Sequence, residues 1–580
     1  MNRRDFLRAS TLAFGSIVVS TGLQSGVVSS AGSAPRPTGG RIAFRHGVAS
    51  GDPRQDRFII WTRLSLLDGP ENDLEVGWEV AADPDFAQLL HKGATVTGPA
   101  QDHTVKIDVL NLQPGAHYYY RFNAQGVLSP VGISKTLPQG DVSQVRFAVL
   151  SCANYPAGHF HVYAEAARVD QLDAVIHLGD YIYEYGADGY ATADAQTLGR
   201  SLPADNNGEL FTLSDYRKRY ALYRTDNALQ ALHAAAPCIA VWDDHEISND
   251  TWQQGAQNHG EDEGNFTARK RAALQAWFEW MPVRPAHPDD RETIYRSFDF
   301  GNLVSLHMLD TRIVGRDRQL AFADYYDEEG FKAAAFRRDS MDANRSLLGH
   351  AQRRWLYGAL EASTSTWQVL GQQVLMGRRL LPRALLSALQ ASSHPDLAQT
   401  LNELIDIKLR HQRHDPALTA REIDQAETLV PYSLDAWDGY GHEREALLKH
   451  AVTHDRNLVV LAGDTHNAWA NNLLATDGTH AGVEFATSSV TSPGMESYLN
   501  MPLELVPLVE QAMVTLASDV QYLNANQRGY MIVTFTPERA TADWRFVSSV
   551  KQRDYQMDQT RRVVITTGTG ASRRRLVPAR

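Results

Sequence analysis

Four apolar runs in this sequence end in the residue types that a metal ion selects. "VRFAVLSCAN" closes on Cys152 and Asn154, and "AVIHLGDYIYEY" carries Asp180 with Tyr183 three residues on. "CIAVWDDHE" supplies Asp243, Asp244 and His245, with Asn249 a little beyond, and "NLVVLAGDTHNAW" holds Asp464 and His466. Singly, each has a structural explanation: a Gly-Asp after a strand forms a turn, a lone cysteine packs as a small hydrophobe, and a tyrosine sits at a core edge. Together they need another explanation, because buried carboxylates are costly unless paired or metal-bound. Clusters of Asp, His, Cys and Asn at four strand ends point to a metal-dependent reaction centre.

The elements that must position these groups follow from the hydrophobic pattern. From residue 143 to residue 565, short apolar strands alternate with helical stretches. The further strands are "LVSLHMLDTR", "WQVLGQQVLM" and "GVEFATSSV", and the clearest helices are "ARKRAALQAWFEWM" and "HAQRRWLYGALEAS". Strands buried on both faces, with functional residues at their C-terminal ends, mark a layered α/β domain. Residues 41–137 read differently. "DRFIIWTRL", "LEVGWEVAAD", "HTVKIDVLNL" and "AHYYYRFNA" are short β-rich runs between turn signals, which predicts a small β-sandwich of immunoglobulin or fibronectin type III character. The polar stretch from Pro138 to Gln144 is the boundary between the two. Leu380 to Glu427 reads as a mainly helical insertion to which the sequence assigns no chemistry.

At 580 residues the chain exceeds what one hydrophobic core organises, so two folded units or one large decorated domain are expected. Its 56 basic and 68 acidic residues leave a net charge of −12 without long runs of either sign. That argues against nucleic acid or an anionic membrane surface as the principal partner. An anionic substrate then needs local positive charge, which bound cations provide. Arg3-Arg4, followed by Asp5-Phe6-Leu7 and a mildly apolar, Gly/Ser/Thr-rich segment from Thr11 to Val28, is similar to a twin-arginine export signal. The signal is expected over residues 1–34, with delivery by the twin-arginine translocase to the periplasm or the exterior and no stable membrane span in the mature protein. Cys152 and Cys238 are the only cysteines, too few for a disulfide framework. The twin-arginine route carries proteins already folded in a reducing cytoplasm, which suits a metal acquired before export.

The order of motifs resembles that of the calcineurin-like metallophosphoesterases. Their pattern runs Asp-x-His, Gly-Asp-x-x-Asp, Gly-Asn-His-Asp/Glu and Gly-His-x-His on strand ends of a two-sheet α/β sandwich flanked by helices. The counterparts here are Cys152-Ala153-Asn154, Gly179-Asp180-Tyr181-Ile182-Tyr183, Asp243-Asp244-His245-Glu246 and Gly463-Asp464-Thr465-His466. With "SCAN", "GDYIYEY" and "WDDHE" together, with the twin-arginine start and with the preceding β-sandwich, nearly the whole chain is similar to the PhoD-type alkaline phosphatases.

The resemblance implies a site. Tyr183 stands where the superfamily has its second aspartate, at the spacing where purple acid phosphatases place an iron-binding tyrosinate. Cys152, Asp180, Tyr183 and His466 then form a first site whose thiolate, phenolate, carboxylate and imidazole favour ferric iron. The second site shares Asp180 and adds Asp244, Asp464 and Asn154 or Asn249, an oxygen-only set suited to calcium. The strand "WQVLGQQVLM" offers only Gln372 and Gln373 where the wider superfamily supplies a second-metal histidine, which argues against zinc there. His245 is expected to face the substrate and stabilise the leaving oxygen, with Glu246 placed to orient it. Arg312 is a weaker candidate for a phosphate clamp, and an ion pair at a strand end explains it better.

The expected function is a secreted alkaline phosphatase that hydrolyses phosphomonoesters or phosphodiesters, in small molecules or in phosphate-containing polymers and lipids, with a metal-activated hydroxide attacking in line. Two rivals are a phospholipase D-like phosphodiesterase acting on choline phospholipids and a catalytically dead cell-surface binding protein.

Overall fold

The apolar runs become strands, and the strands gather into two large sheets. A computed structural model describes residues 41–287, 289–327, 330–389, 396–566 and 574–578. The Arg3-Arg4 segment and the expected export signal lie outside the described residues.

Among the described residues the first sheet has ten strands, in the order Leu576–Pro578, Met557–Thr566, Arg539–Val547, Arg528–Phe535, Val145–Leu150, Ala174–His177, Cys238–Ala240, Val48–Gly51, Phe58–Arg63 and Thr104–Val109. The second has seven, in the order Arg296–Phe300, Val304–Met308, Trp367–Gly371, Leu458–Ala462, His480–Ala486, Ala468–Leu474 and Val520–Asn524. Each has a parallel centre. Val145–Leu150, Ala174–His177 and Cys238–Ala240 run parallel in the first, and Val304–Met308, Trp367–Gly371, Leu458–Ala462 and His480–Ala486 in the second.

Parallel strands need cover on both faces, and the alternation of side chains supplies it. Val459 and Leu461 join Phe147, Val149, Val369 and Phe485 in the core between the sheets. Their neighbours Leu458 and Val460 face the other way and pack with Leu356 and Leu360 of the helix Gly349–Ala362 and Leu447 and Leu448 of Gly441–Thr453. Helices His161–Ala167, Asn227–Ala235 and Phe266–Trp280 bring Tyr163, Leu232 and Trp277 to the first sheet. Two of these three begin where the sequence allows a cap: Asp226 accepts from the backbone N–H groups of Ala228 and Leu229, and Asn265 from that of Ala268. The architecture is the expected two-sheet α/β sandwich flanked by helices.

The N-terminal β-sandwich is present, but it is not a separate bead on the chain. Its outer layer is an antiparallel sheet containing Gly132–Lys135, His117–Ala124, Leu74–Ala81 and Leu89–Thr97. Its inner layer is Val48–Gly51, Phe58–Arg63 and Thr104–Val109, which are the end of the ten-stranded sheet. Phe58 and Ile60 pack against Val76, Tyr118 and Phe122 of the outer layer, while Trp61 turns into the main core. One strand thus serves both units.

The insertion is helical as expected. Leu380–Pro382 and Leu429–Pro431 pair antiparallel at its root, and the helices Arg383–Leu389, Leu397–Gln412 and Ala420–Glu427 lie between them. Leu385, Leu389, Leu401 and Leu404 anchor it against the helix Val506–Leu516. No helix among the described residues is long and apolar enough to cross a membrane.

Candidate metal centre

Each cluster of chemical groups follows the C-terminal end of a parallel strand. Cys152 and Asn154 follow Val145–Leu150, Asp180 follows Ala174–His177, Asp243 to His245 follow Cys238–Ala240, and Asp464 and His466 follow Leu458–Ala462. Four of these residues have left-handed backbones: Cys152, Asp180, Asp464 and His466 have φ between 53° and 63°. Non-glycine residues adopt this region at a cost, and such strain collects at functional sites because it aims a side chain that an ordinary strand end would turn away.

Gly179 makes one of these turns possible. Its φ is +104°, and a Cβ there would lie 2.4 Å from Asp243 Cβ and 2.6 Å from the Asp243 nitrogen. Gly179→Ala is expected to destabilise the protein by about 1–3 kcal/mol from backbone strain alone, with the steric clash added. Thermal unfolding measures this, and an unchanged Tm would contradict the close approach of these two loops.

The groups converge in three overlapping sets. The ligand atoms of Cys152, Asp180 and His466 lie within 4.8 Å of one another, and so do those of Asp180, Asp244 and His245 and those of Asp243, Asp244 and Asp464. Asp180 and Asp244 each belong to two of these sets, and Asp180 is the one that links the Cys152 and His466 side to the aspartates. The Tyr183 hydroxyl donates to Asp180 Oδ2 at 2.9 Å, lies 3.1 Å from His466 Nε2 and accepts from Ser492 Oγ at 2.7 Å. His466 Nδ1 lies 2.7 Å from the carbonyl oxygen of Pro493. That contact places the proton on Nδ1 and leaves the Nε2 lone pair directed at Asp180 and Tyr183.

The electrostatics call for cations. Asp180, Asp243, Asp244, Asp250, Asp435 and Asp464 gather around the permanent positive charges of Arg312 and Arg316. Burial and mutual repulsion push Asp464 and Asp250 up to about 7 and raise Asp244 despite the arginines. Burial, and then the charge of Asp180, push the Cys152 thiol and the Tyr183 phenol well above their usual ranges, so both keep their protons until a strongly charged ion displaces them. Asp180 Oδ1, Asp243 Oδ2 and Asn154 Oδ1 are buried with no hydrogen-bond partner among the described residues. Unpartnered buried oxygens beside carboxylates that cannot all ionise fit a metal cation as their partner.

The two asparagines differ. Asn154 donates from Nδ2 to the Tyr190 carbonyl at 3.2 Å and keeps its side-chain oxygen free. Asn249 lines the cavity but donates from its Nδ2 to Gln257 Oε1 at 2.9 Å. Gln372 and Gln373 are structural: Gln372 accepts from the Trp437 indole at 3.0 Å, and Gln373 accepts from the Thr311 hydroxyl at 2.7 Å while donating to the Leu309 carbonyl.

One expectation is corrected. Glu246 does not orient His245. It is fully buried and accepts the backbone N–H groups of Asp180 at 3.0 Å, Tyr181 at 2.5 Å and Asp243 at 2.7 Å, tying the second loop to the third. The partner of His245 is Glu184, with 2.8 Å from Nδ1 to Oε2, and the imidazole stacks on the Tyr183 ring at 4.2 Å. Burial lowers the pKa of His245, but the carboxylates of Glu184, Asp244 and Asp180 outweigh it and hold it well above 6.5. Arg312 makes the ion pairs that its sequence setting favoured over a phosphate clamp. Its guanidinium is buried against Asp243, Asp464 and Asp435, the last two at 2.9 Å, and lies 3.4 Å from Asp244. It is used up in holding carboxylates in place.

Sequence reasoning missed Glu184, although it sits inside the "YIYEY" stretch beside Tyr183. It also missed Asp435 and the tyrosines Tyr190 and Tyr498, whose hydroxyls approach His466 Nδ1. No local pattern marked these three. The loops enclose a cavity of about 400 Å³ with Asp180, Asp244, His245, Asp464 and His466 on its wall.

Comparison with known proteins finds relatives along most of the chain. The family model for the PhoD-like phosphatases matches residues 147–544, and the model for the N-terminal domain of PhoD-like phosphatases matches residues 29–138. Alkaline phosphatase D of Bacillus subtilis (strain 168) is 35% identical over 555 residues, covering 91% of this chain and 83% of that protein. A solved structure of PhoD superposes with a TM-score of 0.73 at 31% identity and covers 94% of each chain.

Proposed function

The chain belongs to the PhoD-like phosphatase family, and on that premise we propose how its residues divide the hydrolysis of a phosphoric ester. It is a metal-dependent phosphoric ester hydrolase of the alkaline phosphatase type. The observation that carries the division is Asp180, a buried carboxylate common to the Cys152/His466 set and the Asp244/His245 set, with one oxygen unpartnered.

Cys152, Asp180, Tyr183 and His466 would hold the first ion, and a thiolate with a phenolate selects ferric iron. Asp180, Asp244, Asp464 and the amide oxygen of Asn154 or Asn249 would hold the second, and a hard oxygen-only set suits calcium. Bound there, the ions supply positive charge for the phosphoryl oxygens and acidify water.

The chain's own residues do the rest. Glu184 fixes His245 through Nδ1, which leaves Nε2 to donate a proton to the leaving oxygen. The Tyr183 ring sets the plane of the imidazole. Ser492 and Pro493 hold the Tyr183 hydroxyl and the His466 ring in the orientation that points both at Asp180. Metal analysis of the purified protein, run beside hydrolysis of a phosphomonoester and a phosphodiester, tests the reading. A protein that binds no metal or releases no product from either substrate would overturn it.

The first site makes a spectroscopic prediction. Ferric iron with phenolate and thiolate donors absorbs visible light by charge transfer, so the purified enzyme is expected to be coloured and Tyr183→Phe to bleach or shift the band. A colourless active enzyme with zinc in that site would rule out iron. Export rests on Arg3-Arg4, read by the translocase as an address and not as bulk charge. Replacing both by lysine is expected to leave precursor in the cytoplasm, and normal export of that variant would contradict the assignment.

A further inference from the structure

The cavity contains a cation that the chemistry described above does not use. Arg379 is fully buried and lines the cavity, yet its Nε, Nη1 and Nη2 have no hydrogen-bond partner among the described residues. A guanidinium carries five donors and stays charged at any physiological pH, so burying it without acceptors is costly unless something else supplies them.

No neighbouring carboxylate accepts a hydrogen bond from the Arg379 guanidinium among the described residues. Glu484 accepts from the backbone nitrogens of Met376 and Gly377 and from Asn471 Nδ2. Asp519 pairs with Arg378 and Arg444, and Asp438 takes the backbone N–H of Arg379 at 3.2 Å and not its side chain. Aromatic rings flank the guanidinium instead: the carbon at its centre lies 5.5 Å from the Tyr432 ring and 5.8 Å from the Trp469 ring, and both residues line the same cavity. Such walls hold an arginine's plane without satisfying its donors.

The insertion delivers this end of the cavity. Arg379 immediately precedes its first root strand, Leu380–Pro382, Tyr432 follows its second, Leu429–Pro431, and Leu386 comes from its first helix. The segment without chemistry of its own therefore builds part of the pocket wall.

We propose that Arg379 binds a second anionic group of the substrate, a phosphate or carboxylate other than the one being hydrolysed, while Tyr432, Trp469 and Leu386 enclose the spacer that carries it. The proposal rests on the phosphoesterase reading above and narrows it to phosphoesters whose leaving group bears a further negative charge. A guanidinium presents parallel N–H pairs that match the oxygens of either anion.

The test compares pairs of substrates that differ only in this charge: α,ω-alkanediol bisphosphates with spacers of several lengths, each against the corresponding ω-hydroxyalkyl phosphate. In the metal-loaded wild type, kcat/KM for the bisphosphate of matching length is expected to exceed that of its partner by about 10–100-fold, the worth of hydrogen bonds to a charged group. Arg379→Gln should erase the preference while leaving hydrolysis of the hydroxyalkyl phosphate nearly unchanged, and Arg379→Lys should retain part of it. Equal kcat/KM at every spacer length in the wild type would overturn the proposal even if the variants failed to fold. So would a variant that lost both substrates equally, since that is a structural role. Weaker inhibition by inorganic phosphate in Arg379→Gln, with no substrate preference in the wild type, would assign the site to free phosphate and also overturn it. Failure of the wild type to release phosphate from either monoester and to cleave a phosphodiester would mean that the phosphoesterase reading itself is wrong.

Discussion

His245→Ala is expected to lower kcat by about 10²–10⁴-fold, the usual loss for one general acid or positioned donor, with both ions retained. The residue is 7% exposed, braced by Glu184 on one nitrogen and by the Tyr183 ring on its face, so its position is fixed before substrate arrives. Removing it deletes a proton donor on the cavity wall and none of the donors assigned to the ions. The loss should therefore depend on the leaving group. It should be large for an alkyl phosphate, whose departing oxygen needs a proton, and smaller for an aryl phosphate that departs as a stable anion. Glu184→Gln should cost less, because the imidazole keeps a hydrogen-bond partner but loses the carboxylate that supports its charge. Metal analysis of the variant is decisive, since His245 also lies within 4.8 Å of Asp180 and Asp244. Loss of an ion together with activity would make His245 a ligand and not an acid.

A calcium-selective chelator is expected to abolish activity while leaving the visible colour largely intact. The proposed oxygen-only set of Asp180, Asp244 and Asp464 with an asparagine oxygen would hold a hard ion without thiolate or imidazole, and such ions exchange readily. On the proposed reading the first site would grip its ion with a thiol and a phenol that must both surrender protons, and the Tyr183 phenol lies against Ser492 and Tyr190. Added calcium should restore activity better than zinc. Asp464→Asn should weaken calcium affinity before it disturbs the first site, because Asp464 shares no ligand set with Cys152 and makes its ion pair with Arg312. A chelated enzyme that stayed fully active, or one that only zinc rescued, would remove calcium from the second site.

The sequence by itself determined the elements and the chemical groups at their ends. An apolar run is a statement about burial, and the parallel strands Val145–Leu150, Trp367–Gly371 and Leu458–Ala462 are buried throughout or nearly so, as their composition requires. A polar cluster directly after such a run can only stand at a strand end, so Cys152, Asp180, Asp244 and Asp464 were legible from local pattern. The β-rich runs of the N-terminal sandwich were legible for the same reason.

Which of those groups touch was a different matter. Glu184 and Glu246 are carboxylates of similar local setting, each beside a cluster residue. Only the packing of the second loop on the third turned Glu184 towards His245 and buried Glu246 under three backbone N–H groups. Arg312 and Asp435 lie 123 positions apart in the chain and meet at 2.9 Å, where the loop after Val304–Met308 packs on the segment that follows the insertion's second root strand. Arg379 became a cavity residue only because the two root strands of the insertion pair and carry it to the pocket with Tyr432. The sharing of Phe58–Arg63 between the sandwich and the catalytic sheet left no local trace either, since a strand buried on both faces reads the same whether its neighbours belong to one unit or two. Periodicity and residue type act over a few positions, and so they fixed the strands and the chemistry at their ends. Sheet order and loop packing act between residues a hundred or more positions apart, so only the tertiary structure decided which carboxylate braces the histidine and which arginine faces the substrate.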